Sequence, residues 1–512
     1  MSIEETVSAL LGKEADPVAA AYRLRELSGG DCGSAVSALN QLALHPAEVS
    51  ESDPAIIGAL LGVVHSLLVQ DRNEQSLEII RGLDPSTLRQ IDRSLPTKAT
   101  NRHLLLHLLA IARTEPSLQI LVGILKERPP TDWMSAAQML SPLMQHDDWP
   151  VDAVFPEVLD CLSEPVLAAS LLDLANFLVR HRRVQTHPAE PMLDTLNVLL
   201  GHVASRLGFF EENPRAFGDD VPTVQRRLAE SVALAVSLCD TLALIGDESS
   251  IGKLNQTVTL RHRRVQCEAA GALAKLDVED GRKRWVELAA DPAARLRAIA
   301  YADELGFGDE IDDQYRNPEA TAEAEMALWL SQPHQAGVPP TKVEVAASRR
   351  LLWPSFNDPV DVTLVRFEYN MGDRVYSNIG MTGPATYTLG CDLADLPIDD
   401  IFAIYAGWHA EHPDIFSVPR EAMNESQLRV MEEFQQHLQH LGYEDIKPAL
   451  LGLFLDERAG VFHATREGTG CVVATDGLET IDQATAGRTR LMQPEDLFNL
   501  YKGRKMLRTF NS

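Results

Sequence analysis

The chain has 512 residues, with 45% hydrophobic and 23% charged side chains, which makes it too long for one ordinary hydrophobic core and too apolar for wholesale disorder. Lys and Arg number 46 against 74 Asp and Glu, a formal charge of −28, so the chain repels nucleic acid and anionic lipid at long range and favours basic protein partners. Aromatic residues are only 6%, and an apolar content drawn from Leu, Ala and Val suits stacked helices better than sheets.

The opening residues, MSIEETVSALLGKEADP, lack the basic start and apolar run of a signal peptide. The longest apolar stretch, AIIGALLGVVHSLLV at 55–69, is interrupted by His65 and falls short of a bilayer span, so a buried helix is predicted there and no membrane association is expected. Cys32, Cys161, Cys239, Cys267, Cys391 and Cys471 form no C-x-x-C pair, which suits reduced thiols in a cytoplasmic protein. Up to about residue 330, apolar residues recur at three- and four-residue spacings, as in HLLLHLLAIA, PSLQILVGILKE, MSAAQMLSPLM and VLAASLLDLANFLV, and predict helix after helix. Pro116, Pro150, Pro165, Pro188 and Pro222 stand where helices are expected to begin.

Three segments late in this region share a pattern: LAVSLCDTLALIGDE (234–248), VQCEAAGALAKLDVE (265–279) and LRAIAYADELGFGDE (296–310). Leu234, Val265 and Leu296 recur at equal intervals, Leu242 aligns with Leu273, and Ala269 aligns with Ala300. Small residues at fixed places let helices approach closely, and larger ones fill the space between stacked pairs. The segments VQCEAAGALAKLD and DPAARLRAIAYADELG resemble HEAT repeats, in particular the short bacterial HEAT-like repeats of bilin lyases. In that pattern an Asp-Pro turn precedes a helix opening Val-Arg-x-x-Ala, matched here by Asp291, Pro292, Leu296, Arg297 and Ala300. Val265 and Ala269 also match, but Gln266 stands where Arg is usual, and Ser237 holds the small-residue position of the first segment. The resemblance implies an all-α, HEAT-like α-solenoid over 1–330 with a curved surface that binds other proteins.

At 331–342, SQPHQAGVPPTK is linker-like, and 343–512 reads as a smaller α+β domain. VDVTLVRFEY (360–369) alternates as a strand, and 374–389 is expected to hold two strands around 380–384. Strands at 450–455, 461–465 and 470–475 are predicted to form a meander with turns at 457–460 and 467–468. Helices are predicted at 398–411, 420–441 and 494–506, the first opening on Asp399 and Asp400, where negative charge is favoured.

The densest group of chemistry-bearing side chains is YAGWHAEHPDIF (405–416), with Trp408, His409, Glu411, His412 and Asp414. Two histidines three apart on a helix share a face, and a carboxylate would complete a site. Pro413 is expected to end that helix, however, leaving His412 in its last turn, where it complements the helix dipole without binding anything. His103 and His107 read as a pair at a helix interface, and His437 and His440 as a solvated face.

HRRVQ occurs at 181–185 and again at 262–266. The arginines of the two copies, Arg182, Arg183, Arg263 and Arg264, with the adjoining Arg261, either balance acidic side chains of neighbouring repeats or bind phosphate. The loop expected at 207–222 is long for a helix–helix connection; it either presents Phe209, Phe210 and Phe217 on a binding face or folds them onto the core. The basic end, Lys502, Arg504, Lys505 and Arg508, complements a helix dipole or docks against the acidic helical array. G-x-S-x-G, the P-loop, G-x-G-x-x-G and H-E-x-x-H motifs do not occur, Cys471 reads as packing, and Asp392, Asp395, Asp399 and Asp400 lack EF-hand spacing. No metal or cofactor is therefore expected.

Together these features favour a non-enzymatic protein-binding scaffold or adaptor in the cytoplasm, with a basic protein partner and no nucleic acid. The alternatives are an enzyme or ligand-binding protein with its site in the C-terminal domain around Trp408, His409, Glu411 and His412, or, as the resemblance allows, a bilin-lyase-like tetrapyrrole binder.

Overall fold

The structure, a computed structural model, describes residues 3–11, 16–70, 74–96, 99–332, 335–485 and 490–511. The chain divides into two compact units, Met1–Trp285 and Val286–Ser512.

The first unit is helical. In chain order it holds α1 (Ile3–Ser8), α2 (Pro17–Leu27), α3 (Cys32–Leu44), α4 (Pro46–Glu51), α5 (Pro54–Val69), α6 (Glu74–Arg81), α7 (Pro85–Ser94) and α8 (Arg102–Ala112). There follow α9 (Glu115–Glu127), α10 (Trp133–Gln145), α11 (Pro165–Arg180), α12 (Leu193–Glu212), α13 (Val221–Ile245), α14 (Ile251–Thr257) and α15 (Arg263–Lys275), with α16 (Glu279–Leu288) crossing the division. Asp-Pro pairs open several of these helices. In α2, α5 and α7 the side chains of Asp16, Asp53 and Asp84 accept hydrogen bonds from first-turn N–H groups, while proline fills the position whose own N–H would find no partner. Asp132 and Asp220 cap α10 and α13 in the same way, so part of the acidic excess serves as helix caps.

Packing follows chain order. α1 packs on α3, α3 on α5, α5 on α8, α8 on α10, α10 on α11, α11 on α13 and α13 on α15, while α4, α7 and α9 form a second line of contacts. Each helix contributes an apolar stripe, such as Leu118, Leu121, Val122 and Leu125 of α9 or Leu167, Leu171, Leu174 and Leu178 of α11, and the buried residues from Val7 to Leu273 make one continuous core. Among the described residues α13 alone is long and apolar enough to cross a membrane, with a mean hydropathy of 1.8. It packs against α11, α12 and α15 and buries Leu234, Ala235, Leu238 and Leu242, as a core helix does. No disulfide joins the six cysteines, and all but Cys32 are buried.

A buried polar network ties α11 to α13. His187 Nε2 donates to Asn176 Oδ1 at 2.9 Å, His187 Nδ1 accepts the Ala189 N–H at 3.1 Å, and the Thr241 hydroxyl lies 3.0 Å from Asn176 Oδ1. Burial lowers the pKa of His187 to about 4, with the charge of Asp240 acting in the opposite sense.

The second unit contains α17 (Pro292–Glu304), α18 (Pro318–Leu330), β1 (Lys342–Leu351), β2 (Val360–Met371), β3 (Arg374–Thr382), α19 (Ile398–His409) and β4 (Ile415–Pro419). It continues with α20 (Glu425–His440), β5 (Glu444–Phe454), β6 (Glu457–Arg466), β7 (Thr469–Thr475), β8 (Thr480–Ala484) and α21 (Pro494–Phe510). Two antiparallel sheets result, ordered β1-β2-β3 and β4-β5-β6-β7-β8. Alternation along β2 sends Val362 and Leu364 into the core shared with α19 and α21, and Val365 and Phe367 against Ala322, Met326 and Leu330 of α18. The larger sheet packs α20 on one face through Met431 and Leu438, and α21 on the other, where Phe498 covers Gly452. α19 and α21 cross in backbone contact. A Cβ on Gly503 would collide with the carbonyl oxygen of Ala403, and one on Gly407 with that of Asn499.

Several expectations need correction. The change of texture near Leu330 does not coincide with the division between units, because α18 closes a face of the first sheet. Arg295, 4% exposed, ties α17 to α18 by donating to the Ala320 carbonyl at 2.8 Å and to Glu323 at 2.9 Å. The expected linker is held as well, with Thr341 N–H bonded to Glu368 O and the Tyr369 hydroxyl to Val338 O; residues 333–334 lie outside the described ones. Ala269 is fully buried in α15, whereas Ala300 and Arg297 are exposed on α17, which buries Ala294, Arg295, Ala298 and Tyr301 instead. The aligned residues of these two segments therefore do not occupy equivalent faces.

Residues 374–389 hold one strand, β3, and a single bridge from its Met381 to Tyr387 in place of the second expected strand. The turn expected at 457–460 sits instead at Leu455, with φ 54°, and Asp456. Gly460 lies inside β6, where Phe434 and Phe462 leave no room for a side chain. α12 runs on to Glu212, so the loop expected from Leu207 begins only at Asn213.

Candidate functional site

The C-terminal candidate is built around the end of α19. Tyr405 is fully buried and donates its hydroxyl to the Ile379 carbonyl at 2.8 Å while accepting the Leu389 N–H at 3.3 Å; burial pushes the phenol far above its usual range. Asn378 of β3, 1% exposed, accepts the N–H groups of Leu393 and Ile379, both at 2.9 Å, and donates to the Cys391 carbonyl at 3.0 Å. These bonds hold the chain after β3 against α19. Tyr387 then stacks on Trp408 at 3.9 Å with an interplanar angle of 13°, and Trp329 of α18 meets Tyr387 at a steep angle at 5.8 Å.

His409 Nδ1 accepts the indole N–H of Trp353 at 2.8 Å, which leaves the ring proton of neutral His409 on Nε2. Trp353 is itself 1% exposed, so this bond anchors the end of the helix to the core. The predicted cluster splits at this point. α19 ends at His409, and His412 lies beyond it rather than in its last turn, because the residue before Pro413 is steered to extended backbone. His412 Nδ1 accepts the Asp414 N–H at 3.1 Å, and Glu411 faces solvent. Trp408 and His409 thus join a half-exposed aromatic group, while Glu411 and His412 do not. No group of three or more His, Cys, Asp or Glu suited to a metal ion occurs among the described residues. The aromatic group can present ring faces to a planar or cationic moiety.

The HRRVQ arginines do not converge on a shared partner. Arg182 takes a left-handed φ of 55° just past α11, and Arg183 donates to the Trp149 carbonyl at 3.3 Å. Arg263 donates to Arg261 O and to Gln266 Oε1, Arg264 acts electrostatically on Asp173 of α11, and the Arg261 backbone N–H bonds Glu211. Phe210 packs edge-on against Phe217, which is 4% exposed beneath the guanidinium of Arg206, whereas Phe209 is 54% exposed. His107 meets His65 of α5 at 2.9 Å, while His103 turns to Ser135 of α10, so the interface pair expected at 103 and 107 is divided between two neighbours.

Three of the four basic residues of the C-terminal helix pair with acids of their own unit, while Lys502 lies over the ring of Phe498. Arg504 grips Asp400 at 2.8 and 2.9 Å, Lys505 bonds Asp476 at 2.7 Å, and Arg508 bonds Glu479 at 3.3 Å. The acidic residues near 392–400 are likewise engaged: Asp399 pairs with Arg349, and Asp392 accepts the Arg490 N–H.

An open groove in the first unit went unnoticed in the sequence. Pro46 and Ala47 of α4, Ser86, Arg89, Gln90, Arg93 and Ser94 of α7, and Ile120 of α9 enclose a volume of about 670 Å³. Arg89 and Arg93 lie one helical turn apart and share Glu127 of α9. Arg93 reaches both its oxygens at 3.1 and 3.2 Å, and Arg89 also bonds it. These bonds, with that from Arg93 foremost, hold the Glu127 carboxyl below its usual range. The Arg89 guanidinium lies over Gly123, and its Nε is buried without an acceptor among the described residues. The R-x-x-x-R spacing at 89 and 93 was the available signal, but the groove exists only once α4, α7 and α9 are neighbours.

No protein-family model matches the chain, and no curated protein matches it in sequence. Among solved structures, one titled "Lipid-protein interactions in lipovitellin" aligns over 87% of this chain and 50% of its own, at 12% identity and a TM-score of 0.30. This chain thus spans about half the length of that one, and a likeness of this degree carries no argument about fold or function.

Proposed function

We propose that the chain is a non-enzymatic protein-binding scaffold of the cytoplasm, and that its first unit is an α-solenoid of the HEAT type. The observation that carries the reading is the packing succession from α1 to α15, in which each helix of the main row covers the apolar face of the one before it. A helix row built this way exposes far more side-chain surface than its core requires, and long helical surfaces of this kind suit protein ligands. The charge of −28 favours a partner with a basic surface and speeds its encounter. The test is photo-crosslinking of the full chain in its source cells, with the probe placed at exposed positions of α4, α7, α9 and α12. The expected result is recurrent capture of one protein through the first unit. Crosslinks confined to the second unit, or none above a denatured control, would remove the reading.

A further inference from the structure

We propose that the groove between α4, α7 and α9 receives a carboxylate-bearing segment of a protein partner, docked on Arg89 and Arg93. This deepens the scaffold reading and rests on it. Three features of the groove ask for an anion. Two guanidinium groups share one carboxylate, Glu127, which leaves an unbalanced positive charge at its wall. Arg89, whose side chain is 28% exposed beside the groove, bonds Glu127 through Nη2, and its Nε has no acceptor among the described residues. Exposed Arg93, with 62% of its side chain accessible, keeps donors free to turn toward an incoming oxygen.

Two neighbouring arginines are engaged elsewhere, and Asp84 is held as the helix cap of α7 by the N–H groups of Ser86 and Thr87. Arg102 engages Asp92 in a two-pronged pair at 2.6 and 3.2 Å, and Arg128 is spent on the carbonyls of Asp92, Leu95 and Pro96. Four arginines therefore meet two carboxylates around the last turn of α7. The rest of the chain is strongly acidic, but at physiological salt charges more than about 8 Å away are screened. A short carboxylate-bearing segment thus feels the local arginines, whereas a long polyanion such as nucleic acid also meets the surrounding negative surface. Pro46, Ala47 and Ile120 supply apolar walls for the methylenes of such a segment, and the groove is much larger than a single inorganic anion. On a chain that attracts basic surfaces, one site for a carboxylate fixes how a partner of mixed charge is seated.

The experiment uses the full chain and fluorescein-labelled hexaglutamate, followed by anisotropy at about 0.15 M salt, where that screening length applies. The expected result is saturable binding that weakens about 10-fold in Arg93→Glu, strengthens several-fold in Glu127→Gln as the competing carboxylate is removed, and is unchanged in Arg182→Glu. Unlabelled hexaglutamate should displace the probe at concentrations where inorganic phosphate does not. The proposal is overturned by absence of saturable binding, by equal affinity in a natively folded Arg93→Glu variant, or by phosphate displacing the probe as well as the peptide does. If the peptide fails while crosslinks to a partner persist elsewhere on the first unit, the groove assignment falls and the scaffold reading stands.

Discussion

At the scale of single residues, buried polar side chains decide more than their number suggests. Asn378 satisfies two N–H groups and a carbonyl in a place closed to water. Asn378→Ala would leave these groups unpaired and is expected to destabilise the second unit by about 2–4 kcal/mol, read from chemical denaturation. His187 makes a pH-dependent contribution. Its folded-state pKa is lowered from 6.5 to about 4 by burial, so the fold holds the ring neutral while the unfolded chain takes up a proton. The stability it supports is complete above pH 6.5 and is lost as pH falls toward 4, up to the order of 3 kcal/mol. His65 and His262, also lowered to about 4 by burial, act in the same direction. Denaturation midpoints measured from pH 7 to pH 4 should fall, and His187→Gln should flatten part of that slope. An unchanged slope would show that the ring is not held neutral.

At the scale of elements, the crossing of α19 and α21 sets what the second unit tolerates. Gly407 and Gly503 let two helix backbones touch, and neither backbone can move aside without displacing the sheets packed around them. Gly503→Ala is expected to cost about 3 kcal/mol or more, at the upper end of overpacking, although alanine is the better helix former. A variant as stable as the parent would mean that the helices are not in backbone contact. The elements that sequence reading found and missed sort by the same physics. β2 alternates because its two faces meet different cores, and β5, β6 and β7 carry apolar runs because each is hydrogen-bonded on both sides and packed by helices. β1, β3, β4 and β8 lie at sheet edges; β3 was read within 374–389, whereas KVEVAASRRL, IFSVP and TIDQA carry charged and proline residues that edges tolerate.

At the scale of the whole molecule, the two units should lose structure separately. Calorimetry of the full chain is expected to show two transitions, with Gly503→Ala lowering one and leaving the other in place. One cooperative transition that shifts as a whole would contradict the division at Trp285 and Val286.

Helical periodicity, the helix starts at Pro116, Pro165 and Pro222, and alternating strands were legible along the chain, because each depends on residues a few positions apart whose spacing matches the period of the element that buries them, whereas Pro150 and Pro188 open no α-helix. The placing of α17 and α18 with the sheets was not, since it hangs on Arg295 and Met326 finding partners across many residues. Nor was the meeting of Arg89, Arg93 and Glu127, or the separation of His409 from His412. Which side chains face one another is settled by how helices stack and where each one stops, and those outcomes minimise the free energy of the assembled core rather than that of any local stretch.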